Sequence, residues 1–227
     1  SEVHRVLKDD GIWHFEQSYL PSMLRTISYD TVCHEHLEYY SLFNIQQILE
    51  KAGLKVIDVS VNSINGGSFS VTACHQNKVA IKSPVIDWML RQELRLGLDN
   101  PEIYRRFESD TYHHAQDLSD LLNTLNNSGE TVLGYGASTK GNVLLQFCNL
   151  TNKIIPAIAE INPNKFGCKT PGTSIPIVSE EEAKTFKPDY FLVLPWHFRN
   201  GIINRELEYL KRGGKLIFPL PTIEIVG

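Results

Sequence analysis

The stretch Asp30-Thr31-Val32-Cys33-His34-Glu35-His36-Leu37-Glu38-Tyr39-Tyr40 gathers two imidazoles, two carboxylates beyond the leading aspartate, a thiol and two phenols in one short run. Such a run can be a metal cage, an acid/base pair or an inert polar loop. In an extended segment His34 and His36 share one face and Glu35 points to the other. Two ligands alone hold no metal. The chain has no HExxH pattern, and its four cysteines (Cys33, Cys74, Cys148, Cys168) form no CxxC pair, so a metal site is not expected. Acid/base work suits these residues better. Histidine titrates near neutrality, and a carboxylate beside it can raise its basicity or orient a substrate hydroxyl. A hydrogen-bonded polar loop is the alternative. His75, His113 and His114 lack such company and read as ordinary helix or surface residues.

A second candidate is Gly134-Tyr135-Gly136-Ala137-Ser138-Thr139-Lys140-Gly141-Asn142. It follows the apolar strand that starts at Thr131 and precedes a helical run, which is where backbone N–H groups and a helix amino terminus cradle a phosphate. Gly134, Tyr135 and Gly136 would form the turn, and Ser138, Thr139 and Lys140 would add hydroxyl and ammonium donors. The spacing departs from two templates: GxGxxG needs glycine at Thr139, and the P-loop lysine follows its last glycine whereas Lys140 precedes Gly141. Glu160 closes the next strand, a little beyond the offset of ~20 residues at which a carboxylate holds a ribose. Trp196 and His197 follow a later strand and so belong to the same carboxyl edge, with Trp196 a candidate for stacking on a base. A ligand-free βα turn, with Trp196 packed under a loop, is the alternative.

These groups need a frame. Residues 1–8 read as the end of a helix and 9–11 as a turn. Ile12–Glu16 reads as a strand, and residues 17–42 as a long ordered loop with a short helix over Ser22–Thr26. Phe43, Ile45, Ile48, Leu49 and Ala52 make a helical stripe stopped by Gly53. Residues 55–62 and 68–74 read as strands joined by a hairpin at Asn65-Gly66-Gly67. Pro84–Leu96 and Pro101–Asn126 are helical and charged, a connector without strands. From Gly129 onward strands and helices alternate: 131–136, 142–147, 154–160, 175–178, a helix opened by the capping pair Ser179 and Glu182, then 190–194, a helix over 199–212 and a last strand at 215–218. That order implies right-handed crossovers and a doubly wound parallel sheet. The expected domains are 1–82, 83–128 and 129–227.

Bulk properties exclude several classes. A hydrophobic content of 42% fits a chain that buries real cores. The formal net charge of −4 offers no basic footprint for nucleic acid. No apolar run approaches the ~20 residues that span a bilayer, so no membrane partner is expected. Scattered cysteines and the lack of an opening signal peptide point to a reducing, cytoplasmic setting.

Taken together, "EQSYLPSML", "YDTVCHEHLEYYSL", "NGGSFSV", "GYGASTKGNVLLQ", "PGTSIPIVS" and "KPDYFLVLPWHF" resemble, in order and along the whole chain, the S-adenosylmethionine (SAM)-dependent C-methyltransferases that act on keto-deoxysugars carried on a nucleotide diphosphate. The resemblance implies an α/β protein: part of a methyltransferase sheet, a helical connector and a carboxyl-terminal Rossmann-like domain. It implies that these residues are a fragment without the zinc-binding domain and the first half of the SAM domain, so that SAM serves the intact enzyme and is not bound by this piece. It makes His36 the base and Glu35 its partner, with His34, Tyr39, Gly134, Tyr135, Gly136, Ser138, Thr139, Lys140, Glu160, Trp196 and His197 on the side of the nucleotide sugar. Loss of a proton α to the ketone gives an enolate that attacks the SAM methyl. Many relatives carry tyrosine where Cys33 stands. In methyltransferase topology 12–16, 68–74 and 55–61 are neighbours in that order, which leaves the outer edge of 12–15 open to self-association. The competing expectation is an NAD(P)- or nucleotide-binding Rossmann module without methyltransferase activity.

Overall fold

The computed structural model describes residues 2–63 and 66–227. They form two compact units, Ser1–Arg25 with Leu37–Arg106, and Thr26–His36 with Phe107–Gly227. Among the described residues no helix is long and apolar enough to cross a membrane.

The first unit contains α1 (Glu2–Val6), β1 (Trp13–Ser18), α2 (Leu20–Thr26, its last residue already in the second unit), α3 (Leu42–Lys51), β2 (Leu54–Asn62), β3 (Ser68–His75) and α4 (Pro84–Leu96). Its three-stranded sheet runs β1-β3-β2, the expected order, with β3 antiparallel to both neighbours. β3 is the central strand, and Phe69, Val71 and Ala73 on its inner face are fully buried. β1 is an edge strand. The turn expected at Asn65-Gly66-Gly67 lies partly outside the described residues, although Gly66 and Gly67 both have positive φ (87° and 132°).

α3 starts where Ser41 accepts a hydrogen bond from the Asn44 amide (3.2 Å) and ends before Gly53 at φ +75°. Its buried stripe is Leu42, Ile45 and Leu49, whereas Phe43 and Ile48 of the expected stripe are exposed. The reason is a phase shift. A buried carboxylate, Glu93 of α4, takes the amide of Leu42 (2.6 Å) on one oxygen and that of Phe43 (3.0 Å) on the other. The Tyr19 hydroxyl donates to Glu93 as well, at 2.9 Å. Thus one carboxylate satisfies two of the orphan amides at the helix start and turns Leu42 inward. Tyr19 and Tyr40 also form a bridge, with the Leu20 amide on the Tyr40 carbonyl (2.9 Å). The chain leaves this unit after Arg25 and returns at Leu37, so these bonds close the neck of that excursion.

The second unit takes the excursion together with most of α5 (Pro101–Asn127), followed by β4 (Val132–Tyr135), α6 (Thr139–Phe147), β5 (Ile158–Glu160), β6 (Ile177–Ser179), α7 (Glu180–Thr185), β7 (Tyr190–Val193), α8 (Arg199–Arg205), α9 (Leu207–Lys211), β8 (Lys215–Phe218) and β9 (Glu224–Val226). The sheet order is β6-β5-β4-β7-β8-β9, parallel except for β9. The chain winds outward from β4 to β6, then crosses back to β7. The doubly wound expectation holds, and the topological switch point lies between β4 and β7.

Among the boundaries that differ from those read in the sequence, four stand out. The chain ends the sheet with β9 rather than β8, because three residues after Pro219 and Pro221 are too short a run to show alternation. β5 begins at Ile158, not 154, since Pro156 has no amide to enter a ladder. The 199–212 helix is divided into α8 and α9 at Glu206, although i→i+4 bonds continue past it (Glu206 to Ile202, 2.9 Å; Leu210 to Glu206, 3.0 Å). Finally, 26–36 is not one irregular loop: after α2 it makes a 3₁₀ turn at Tyr29–Thr31.

Candidate functional site

Cys33 to His36 form a tight turn closed by the His36 amide on the Cys33 carbonyl (3.0 Å). The segment is therefore not extended, and His34 and His36 do not share a strand face. His34 and Glu35 occupy the two central positions and are exposed, while His36 is partly covered.

The 3₁₀ turn that precedes it packs on α6. Ser138 caps α6 by accepting from the Gly141 amide (3.0 Å). Thr139, the first residue of α6, donates its hydroxyl to Glu35 at 3.2 Å. Lys140, the second, has Asp30, Cys33 and Glu35 around it. Burial holds its ammonium below the ordinary lysine range despite those groups. Three stretches far apart in the chain thus meet at the amino end of α6: the HEH turn, the helix start after the glycine turn, and Trp196-His197 after β7. The Trp196 indole donates to Asp30 (2.7 Å) inside the unit, and at 7% exposure the ring is a packed side chain. His197 faces the Lys140 charge; burial, then that charge, lowers it to about 4, and its Nδ1 is buried without a hydrogen-bond partner.

Asp30 is 1% exposed. One oxygen accepts from Trp196, and the other, Oδ1, is buried without a partner. Burial raises its carboxyl above the usual range, against the pull of Trp196 and Lys140. Beneath it, the Tyr29 hydroxyl reaches His114 Nδ1 (3.1 Å) and Cys148 (3.2 Å), and His114 Nε2 donates to the Pro219 carbonyl (2.6 Å). That leaves Nδ1 as the acceptor. Burial lowers His114 and pushes the Cys148 thiol up to about 11. His114 is therefore a buried residue of α5, on the helix side of the helix-or-surface reading made from the sequence.

The glycine turn is shaped first by packing. A Cβ on Gly134 would sit 2.7 Å from Ile158, and one on Gly141 2.8 Å from Leu194. Gly136 has φ +78°, and a Cβ there would lie 2.9 Å from Pro195. The Tyr135 hydroxyl is donated to Glu206 at 2.7 Å. Glu160 braces the turn. Its Oε2 accepts from the Ala137 amide (2.9 Å) and Lys165 (3.3 Å), and its Oε1 from the amides of Ile161 (2.8 Å) and Asn162 (3.0 Å). Burial works against the charge, yet these donors together hold the carboxyl below its ordinary value. With four donors on two oxygens, no acceptor site is left for a ribose hydroxyl.

Two cavities adjoin these residues. One, of about 360 Å³, lies at the carboxyl ends of β4, β5 and β7, bordered by Gly136, Ser138, Lys165, Pro195 and Arg205. The other, of about 490 Å³, is bordered by Cys33, His34, Thr139, Asn142 and Gln146. Tyr39, also expected near the substrate, belongs to the first unit. Asp30, Lys165 and Arg205 were not singled out by sequence. Only Asp30 carried a signal, as the first residue of the polar run. Among the described residues no group of three or more His, Cys, Asp or Glu side chains is arranged to hold a metal ion.

The sequence profile of the "C-methyltransferase C-terminal domain" family matches residues 63–221. The chain is also 35% identical over 225 residues to "C-methyltransferase NovU" of Streptomyces niveus, an alignment that covers 99% of this chain and 54% of that protein. The chain thus spans about half the length of that curated relative. With more than half of its residues matched by the profile, the chain belongs to the C-methyltransferase C-terminal domain family.

Proposed function

We propose that this chain supplies the base and the nucleotide-sugar side of a SAM-dependent C-methyltransferase acting on a nucleotide-diphosphate keto-sugar. The observation that carries the reading is the meeting of the HEH turn with the start of α6, through Glu35 and Thr139 at 3.2 Å and the half-buried Lys140 beside Asp30 and Glu35. Proton abstraction needs a base whose surroundings are fixed, and a carboxylate held at a helix amino terminus fixes the residue next to it. In this scheme His36 takes the proton from the carbon α to the ketone, the C–H bond pair moves into an enolate, and Glu35 orients the sugar. The diphosphate would lie near Gly136 and Ser138 at the amino end of α6, which favours negative charge; Lys165 and Arg205 line the same cavity, each paired with a carboxylate, Glu160 and Glu180.

SAM would supply the electrophilic methyl group. Among the described residues of the first unit no glycine turn joins a strand to a helix. The dinucleotide alternative is disfavoured by Glu160, whose oxygens are taken up by the protein. Calorimetric titration with dTDP, NADH and SAM separates the readings. Binding of dTDP without NADH is the expected result; binding of NADH alone would replace this proposal with the dinucleotide module.

A further inference from the structure

Between α7 and the α8–α9 pair the second unit holds a cavity of about 660 Å³, larger than the cavity at the glycine turn and the one beside the HEH turn. Its floor is aromatic. Phe191 packs edge-on to Tyr135 (5.6 Å between ring centroids) and tilted against Tyr209 (5.0 Å). Both hydroxyls are already donated, Tyr135 to Glu206 (2.7 Å) and Tyr209 to the Pro188 carbonyl (3.1 Å), and Tyr135 and Phe191 are buried, so what the floor offers is chiefly the partly exposed ring of Tyr209. Tyr209 fits only because residue 214 is glycine: a Cβ there would stand 2.3 Å from the ring.

The charges around this floor are unevenly matched. Each lining carboxylate is engaged: Glu180 with Arg205, Glu206 with Tyr135, and Asp189 with the Thr131 amide (2.8 Å). Among the described residues, the lining cations Lys184, Lys187 and Arg212 make no ion pair. Lys187 carries a further mark. It follows the C-cap of α7 with φ +51°, a position where glycine is unstrained and lysine is not.

We propose that this cavity is a second binding site, which takes a flat heteroaromatic ring bearing a phosphate, a ligand of mononucleotide size. The Tyr209 ring would stack the heterocycle, and the unpaired cations would hold the anion. The volume falls in the range of small-molecule sites. The Glu180–Arg205 pair lines both this cavity and the one at the glycine turn, so it stands between two separate sites. The inference does not rest on the methyltransfer reading.

The test is calorimetry on this chain with three probes: AMP, which has ring and phosphate, adenosine, which has only the ring, and inorganic phosphate. AMP is expected to bind more tightly than either part. The double variant Lys187→Gly/Arg212→Ala should weaken AMP binding by at least about tenfold, since two charge-assisted contacts are lost. Lys187→Gly alone should melt no lower than the parent, because it relieves the left-handed backbone, so its weaker AMP binding cannot be put down to unfolding. The proposal is overturned if AMP does not bind, if phosphate binds as tightly as AMP, or if the double variant binds AMP like the parent.

Discussion

Each unit buries a carboxylate beside a helix amino terminus, and the two are held in opposite ways. Glu93 in the first unit has three donors on its two oxygens: Tyr19 and the amides of Leu42 and Phe43. Asp30 in the second has Trp196 on one oxygen and a buried, unpartnered second oxygen. A buried charge is tolerable when its lone pairs are filled, and an unfilled one marks a place where something other than stability sets the residue. By that measure Glu93 belongs to the scaffold that closes the neck of the excursion. Asp30 belongs to the polar cluster that the excursion carries to α6, where Lys140 and His197 are also displaced from their ordinary titration ranges.

The contrast is first broken or kept by Glu93. Glu93→Leu strands three donors and should destabilise the first unit by roughly 3–5 kcal/mol, read by urea denaturation with faster hydrogen exchange at the Leu42 and Phe43 amides. Glu93→Gln should fall between, since its single carbonyl oxygen leaves one donor facing an amide NH₂. A loss below about 1 kcal/mol for Glu93→Leu would remove Glu93 from the scaffold.

Acid should act on the second unit through its histidines. His114 and His197 are both lowered on folding, His197 to about 4. The unfolded chain then binds more protons between the two pKa values, so their stabilisation is present above about pH 6.5 and is lost as pH falls through the folded values. Asp30, raised on folding, works in the opposite direction over its own range. Denaturation midpoints measured from pH 7 to 5 should fall in the parent and fall less in His197→Gln. An equal slope in both would mean that His197 is not buried neutral.

Gly136→Ala should cost about 1–2 kcal/mol, because alanine at φ +78° is strained and its Cβ meets Pro195 at 2.9 Å. The smallest effect is expected from Asp30→Asn. Its amide oxygen can still accept from Trp196, and the buried charge is gone, so stability should change by less than about 1 kcal/mol. A loss as large as that of Glu93→Gln would erase the distinction between the two carboxylates.

Much of the frame was readable in the chain. Neighbouring strands β1-β3-β2 followed from family topology, and the alternation after Gly129 gave the parallel sheet. Ser179 caps α7 as its spacing suggested, accepting from the Glu182 amide at 3.1 Å. What escaped were features created by packing at long range. Glu93 looks like any surface glutamate in a charged helix until Tyr19 and the start of α3 fold onto it. His114 and Asp30 become buried only when α5, β7 and the excursion meet in one unit. The glycines of 134–141 read as a phosphate cradle, yet each also makes room for a neighbouring side chain. Glu160 sits where a ribose partner would, but local amides fill it. Short-range pattern cannot report how many donors reach an oxygen.

The central claim is that His36, in the turn held against α6, removes a substrate proton. The direct measurement is solvent exchange: the protein is incubated with a nucleotide-diphosphate keto-deoxysugar in D₂O without SAM, and deuterium at the carbon α to the ketone is followed by NMR. Wild type should incorporate deuterium, and His36→Ala should slow incorporation by about a hundredfold or more, the usual worth of a general base. Incorporation by His36→Ala at the wild-type rate would contradict it.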